Sequence, residues 1–365
     1  MKKSVPLMAG MLFFSALSYS QAEGMTAAEV RYRDSITKLN QSNAAIAASQ
    51  EAYNKGIELF NQKNFKDAIT SFNKSIASDP NFTAAYYNKG VAENEAELYQ
   101  DAIVTFTNLI GKQKGYSKAY FQRGRAYQGL SDYLKSEKDY EQSIKIDPAN
   151  PKAYYNYGTL KFLQQDYTTA INYFSKSIEL DPASPMAYND RGSCYRMLEN
   201  YPKAIEDYEA ALRKNPNLAF VLNNVGTTKK KMKDYTGALA AFNRAISVDA
   251  NFFLAYNNRG VTLLEKGNQD DAIKDFEKAL SINPKYAPAA SNLSGIYFKQ
   301  KNFKKAEELA TKAINADPNY ASAYVNRGMA REMLRNMEAA CADWKKASDL
   351  GSTEGKTCHS GNCSN

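Results

Sequence analysis

The residues able to do chemistry are few, and their spacing rules out more than it proposes. The chain has one histidine, His359, and four cysteines. Cys358 and His359 with Cys363 invite a metal or haem reading, but the spacing is not that of a zinc pair. Haem attachment would need a cysteine at position 355, where Gly355 stands. No nucleophile is paired with a histidine and no glycine-rich phosphate loop occurs, so we expect neither an enzyme nor a bound cofactor. Cys194 falls inside a helical pattern and reads as a buried thiol. In an oxidising compartment Cys341, Cys358 and Cys363 allow three single disulfides, of which Cys358–Cys363 is the easiest to close and a bond to Cys341 would tether the tail. The only dense basic run is Lys229, Lys230, Lys231 and Lys233, read as a solvated helix face, and no nucleic-acid partner is expected.

Export is expected from the start of the chain. Lys2 and Lys3 precede a short apolar stretch, Val5 to Leu17, and Ser20, Gln21 and Ala22 supply small residues for cleavage. Residues 1–22 therefore read as a signal peptide cut after Ala22 or Ser20. The alternative, an uncleaved anchor, is opposed by an apolar core shorter than the ~20 residues of a span. The expected location is periplasmic, extracellular or at the cell surface. Net charge is +8, falling to +6 without the two signal lysines.

What must position any binding residues is a repeat. Pro80, Pro148, Pro182, Pro216, Pro284 and Pro318 stand 34 or 68 residues apart. Gly56, Gly90, Gly124, Gly158, Gly192, Gly226, Gly260 and Gly328 keep the same step, with Ser294 in the gap. Twelve residues on comes alanine (Ser136 excepted), and four further an aromatic ring from Phe72 to Trp344, interrupted by Ala310. Within a unit, apolar residues recur at helical spacing in two stretches, as in Tyr256, Val261, Leu263 and Leu264 followed by Ala272, Ile273, Phe276 and Leu280. Asn283 and Pro284 then end the second helix, because proline disfavours helical geometry before it and donates no hydrogen bond.

This pattern resembles the tetratricopeptide repeat. Nine units fit, beginning at Ser49, Thr83, Ser117, Pro151, Pro185, Ala219, Phe253, Ala287 and Ala321, so residues 49–352 form the array. The resemblance implies an all-α, right-handed superhelix, an α-solenoid whose first helices line a concave groove. Residues 23–48 do not match. Thr26 can cap a helix there, and Val30, Ile36, Leu39 and Ile46 offer a partial apolar side that either covers the end of the first repeat or belongs to a flexible lead. Residues 353–365 form a polar, cysteine-containing tail expected to be loose.

The resemblance also implies which positions face the groove. Position 6 reads Asn54, Asn88, Gln122, Asn156, Asp190, Asn224, Asn258, Asn292 and Asn326. An amide row can pair with successive peptide groups of an extended segment whatever its side chains, and it is similar to the asparagine ladder of the O-GlcNAc transferase superhelix. The alternative is that asparagine is merely common at this place in such repeats. Position 5 carries Tyr53, Tyr87, Phe121 and Tyr155, then Asn189, Asn223 and Asn257, an aromatic stripe followed by an amide zone. The rings could anchor a ligand, with most of the affinity in the N-terminal half, or pack between first helices. Position 5 holds no lysine, so the carboxylate clamp of chaperone-binding members is not expected. Long basic chains at position 7 (Lys55, Lys89, Arg123, Arg191, Arg259, Arg327) are expected to pair with acids. The expected function is a scaffold that binds extended segments of partner proteins or peptides in the groove, within an envelope complex. The alternative is a structural assembly component acting by self-association.

Overall fold

The computed structural model describes residues 26–363. Among these residues every regular element is a helix, and no helix is long and apolar enough to cross a membrane. The signal segment and the start of the lead lie outside the described residues. The chain divides into two compact units between Ile146 and Asp147.

The first unit holds repeats one to three as α1 (Ala27–Asn61), α2 (Phe65–Ser78), α3 (Thr83–Glu95), α4 (Tyr99–Lys112), α5 (Ser117–Gly129) and α6 (Tyr133–Ile146). The second holds repeats four to six as α7 (Pro151–Leu163), α8 (Tyr167–Leu180), α9 (Pro185–Met197), α10 (Tyr201–Lys214), α11 (Ala219–Lys231) and α12 (Tyr235–Val248). Repeats seven to nine follow as α13 (Phe253–Glu265), α14 (Gln269–Ile282), α15 (Ala287–Lys299), α16 (Phe303–Ala316), α17 (Ala321–Met333) and α18 (Met337–Asp349), with a further helix α19 (Thr353–Asn362). Within each unit the two helices of a repeat pack together, and each first helix also touches the first helix of the next repeat.

The close approach inside a repeat depends on glycine. A Cβ added at Gly226 would stand 2.6 Å from the Phe242 ring, and one at Gly260 would stand 2.9 Å from Phe276. Repeat eight departs at both places together. Ala310 removes the ring, Ser294 replaces the glycine, and the Ser294 hydroxyl donates to the Ala306 carbonyl at 2.7 Å. The rings from Phe72 to Trp344 are buried core.

Turns between paired helices use a device the periodicity did not reveal. Lys63, Glu97, Ser131, Gln165, Glu199, Lys233, Lys301 and Arg335 all hold positive φ near 60°, and only Gly267 in repeat seven supplies glycine there. The next residue caps the second helix: the side chains of Asn64, Asp166, Asn200, Asp234, Asn268, Asn302 and Asn336 each accept from a backbone N–H of its first turn. Repeat two carries Leu98 in that place and has no side-chain cap.

Both ends differ from expectation. Thr26 caps α1 in a reciprocal pair with Glu29, but the helix runs without a break into the first repeat. Residues 27–48 therefore neither fold back over the repeat nor form a separate lead, and Tyr32, Ile36, Leu39 and Ile46 stand exposed. The tail is not loose through Ser352–Cys363. Ser352 caps α19, Gly355 is buried against Ala347 and Ser348, and Cys363 is bonded to Cys341 across a Cα separation of 5.7 Å. Cys358 keeps a free thiol, and Cys363, held in the disulfide, cannot join it and His359 as a ligand. Cys194 is buried, and burial pushes its thiol up to about 12.

Candidate functional site

The first helices bring positions 5 and 6 of neighbouring repeats into register. In the second unit Asn224 Nδ2 donates to Asn189 Oδ1 at 3.0 Å, Asn258 Nδ2 to Asn223 Oδ1 at 2.9 Å, and Asn292 Nδ2 to Asn257 Oδ1 at 3.2 Å. Asn326 Nδ2 continues the row onto the Ser291 carbonyl at 2.9 Å and its hydroxyl at 3.0 Å. Each bond joins position 6 of one repeat to position 5 of the repeat before it. The position 5 amides are buried, with Asn189 only 5 % and Asn257 only 5 % exposed, and a buried amide must be satisfied. The position 6 amides are half-buried. Among the described residues, the Oδ1 atoms of Asn224, Asn292 and Asn326 accept no hydrogen bond, so each keeps an acceptor and the row has one side turned away from the core.

The same link tolerates other chemistry as long as one donor meets one acceptor. In the first unit Asn88 Nδ2 donates to Tyr53 Oη at 2.8 Å and to Ala84 O at 3.1 Å. Tyr155 Oη reverses the direction and donates to Asp190 Oδ2 at 2.6 Å, because an ionised carboxylate can only accept. Burial holds the Asp190 carboxyl above its ordinary range against the pull of the Tyr155 bond. Burial, reinforced by Asp190, raises the Tyr155 phenol. Asn156 instead donates to Lys152 O on its own helix, and Asn54 accepts from Gln50. The row was legible as a pattern of amides, and the position 5 residues as an aromatic stripe and an amide zone, but not that position 5 of one repeat bonds to position 6 of the next. The available signal was that an amide or carboxylate stands 35 residues after Tyr53, Tyr155, Asn189, Asn223 and Asn257.

The aromatic stripe is mostly packing. Tyr53 meets Phe82 with ring centroids 4.9 Å apart and Phe72 at 5.8 Å, Tyr87 meets Tyr116 at 5.6 Å, and Tyr155 meets Phe174 at 5.7 Å. These three rings are half-buried. Phe121 is buried against Tyr140. Gln122 is buried too, held by Asn94 Nδ2, which donates to its carbonyl at 2.9 Å.

Position 7 is consumed by ion pairs. Arg123 binds Asp139 through two bonds of 2.8 Å and lies over the Tyr120 ring. Arg191 with Asp207, Arg259 with Asp275 and Arg327 with Asp343 repeat this geometry. Lys55 pairs with Glu58 at 2.9 Å and Lys89 with Glu93 at 3.5 Å. In the lysine run, Lys230 pairs with Glu265 at 3.1 Å, while Lys231 and Lys233 face solvent.

Three tetratricopeptide-repeat family models match the chain. One covers residues 53–110, 121–185 and 226–287, a second covers 185–218 and a third covers 263–331. No curated protein matches by sequence. Among solved structures, a tetratricopeptide repeat protein from Parabacteroides merdae is similar at a TM-score of 0.56 and 20% identity, over 68% of this chain and 99% of that one. The Cut9–Hcn1 hetero-tetramer of APC/C gives 0.54 and 17%, over 76% and 54%. Pseudomonas aeruginosa pilF gives 0.51 and 21%, over 59% and 98%. At these identities the likeness is one of fold.

Proposed function

The chain belongs to the tetratricopeptide-repeat family, and on that premise we propose that it is a scaffold whose first-helix face binds extended segments of partner polypeptides. The observation carrying this is the row of position 6 amides in the second unit, each fixed through its Nδ2 to the preceding repeat, with Asn224 and Asn292 keeping one N–H and the Oδ1, Asn258 keeping one N–H, and Asn326 keeping its Oδ1. A fixed amide loses little freedom when it binds, and it can give and take a hydrogen bond with a peptide group. Packed helices lie roughly 8–10 Å apart and an extended chain advances about 3.3 Å per residue, so one rung meets about every third residue. In the second unit the half-buried Tyr155 ring adds apolar contact, and in the first unit the half-buried Tyr53 and Tyr87 rings offer the same to a segment bound there. No catalytic role is proposed.

The location proposed is outside the cytoplasm, with partners in an envelope complex. The N-terminal Lys2, Lys3 and Val5–Leu17 pattern supports it, as does the Cys341–Cys363 disulfide, since such bonds persist in oxidising compartments. A second reading, assembly by self-association, draws on the exposed Tyr32, Ile36, Leu39 and Ile46 of α1. Sedimentation velocity across a hundredfold concentration range separates the two.

Photo-crosslinking in cells tests the first reading. Benzoylphenylalanine in place of Asn292 should give polypeptide adducts, and in place of Lys304, exposed on α16, it should give none. Adducts from Lys304 alone would overturn the proposal.

A further inference from the structure

Repeat eight carries a glycine that its own packing does not explain. Position 9 is Ile57, Val91, Arg125, Thr159, Ser193, Thr227, Val261 and Met329 in the other repeats, but Gly295 here. It sits inside α15, where glycine is the poorest helix former apart from proline. The position 8 glycines of the other repeats are forced by nearby rings, yet a Cβ at Gly295 would meet nothing nearer than Asn326 Nδ2 at 4.0 Å. What the missing side chain leaves is space. A cavity of about 370 Å³ opens there, with Leu264 and Ile296 as apolar wall and Asn292, Asn326 and Lys299 as polar lining.

The charge at this cavity has no partner. Lys299 forms no ion pair among the described residues. Glu265, at the equivalent place on the preceding first helix, is already tied to Lys230 at 3.1 Å. Asn292 uses one N–H on Asn257 and keeps the second.

We propose that Gly295 opens a side-chain pocket for an aspartate or glutamate of the bound segment. The methylenes of the acid lie on Leu264 and Ile296, and its carboxylate meets the Lys299 ammonium and the second N–H of Asn292. The pocket would set which stretch of an otherwise backbone-read segment stops at repeats seven to nine. It rests on the groove reading above and adds a partner class to it: extended segments with one internal acidic residue.

The test is selection of dodecapeptides from a phage-displayed random library on the immobilised full chain, followed by calorimetry on the synthetic, end-capped winners. Winners should share one Asp or Glu, and its replacement by the matching amide should weaken binding about tenfold. Gly295→Leu and Lys299→Ala should each make the acid and amide peptides bind alike. Gly295→Ala controls for folding: a better helix former entering open space should raise the melting temperature by about 2 °C while weakening the acidic peptide. Winners without a shared acid, equal binding of acid and amide forms, or full affinity in Gly295→Leu overturn the pocket and leave the groove reading standing. A requirement for a free C-terminal carboxylate also overturns it. Failure of the wild-type chain to select any peptide overturns both.

Discussion

Single residues in this chain answer to partners 16 or 35 positions away. Position 8 glycine and position 24 ring are such a pair: Gly226→Ala puts a methyl 2.6 Å from Phe242, and we expect a loss of about 1–3 kcal/mol in chemical denaturation. At Ser294, where no ring faces the site, Ser294→Gly removes no clash and should instead cost about 1 kcal/mol through the lost bond to Ala306 and the weaker helix propensity of glycine. Each rhythm was legible alone, but that Ser294 and Ala310 depart together follows from contact in space. The position 7 arginines were legible as pairing with acids, though not their two-bond geometry on Asp139, Asp207, Asp275 and Asp343. Glu93 is a harder case. It is 3 % exposed, Lys89 stands at 3.5 Å, and burial holds its carboxyl above the ordinary range. A raised folded pKa favours the native state at low pH, and that contribution is lost as pH rises through the shifted value. Thermal melts should show Glu93→Gln removing this decline and gaining on the wild type as pH climbs from 4 to 7.

At the level of the element, the stops were readable and the starts only partly so. Asp or Asn before each of the six periodic prolines, Pro80 to Pro318, ends a second helix as expected, because proline's ring chemistry acts locally. The positive-φ residue before each second helix was hidden, since Lys63, Glu199 or Arg335 announce no such conformation by type. Repeat two is the one whose second helix lacks the polar cap, and Leu98→Asn should add about 1 kcal/mol, read as a higher denaturation midpoint. The helix α19 was not legible because Thr353, Gly355, Thr357 and Gly361 are weak helix formers. What holds it is tertiary: the Ser352 cap, the fit of Gly355 on α18 and the Cys341–Cys363 bond. Under reductant, hydrogen exchange should speed up through α19 while the amides of α15 and α16 stay protected. Uniform acceleration would show that the bond supports far more than this helix.

For the whole molecule, length and rhythm carried the architecture, as nine units without insertion leave little freedom in how helices stack within each unit. The candidate site was half legible. Asn224, Asn258, Asn292 and Asn326 were readable as a row, yet their anchoring to Asn189, Asn223, Asn257 and Ser291 depends on neighbouring repeats being in register, which composition cannot express. That anchoring gives the amides a structural duty and a prepared outer side at once. The two duties separate in calorimetry of one selected peptide against its twin methylated at every third backbone nitrogen, with all side chains kept. If the amide row reads the backbone, the methylated twin should bind at least about tenfold more weakly in one of its three registers. Equal affinity in all three registers would contradict the account and leave the asparagines as links between repeats alone.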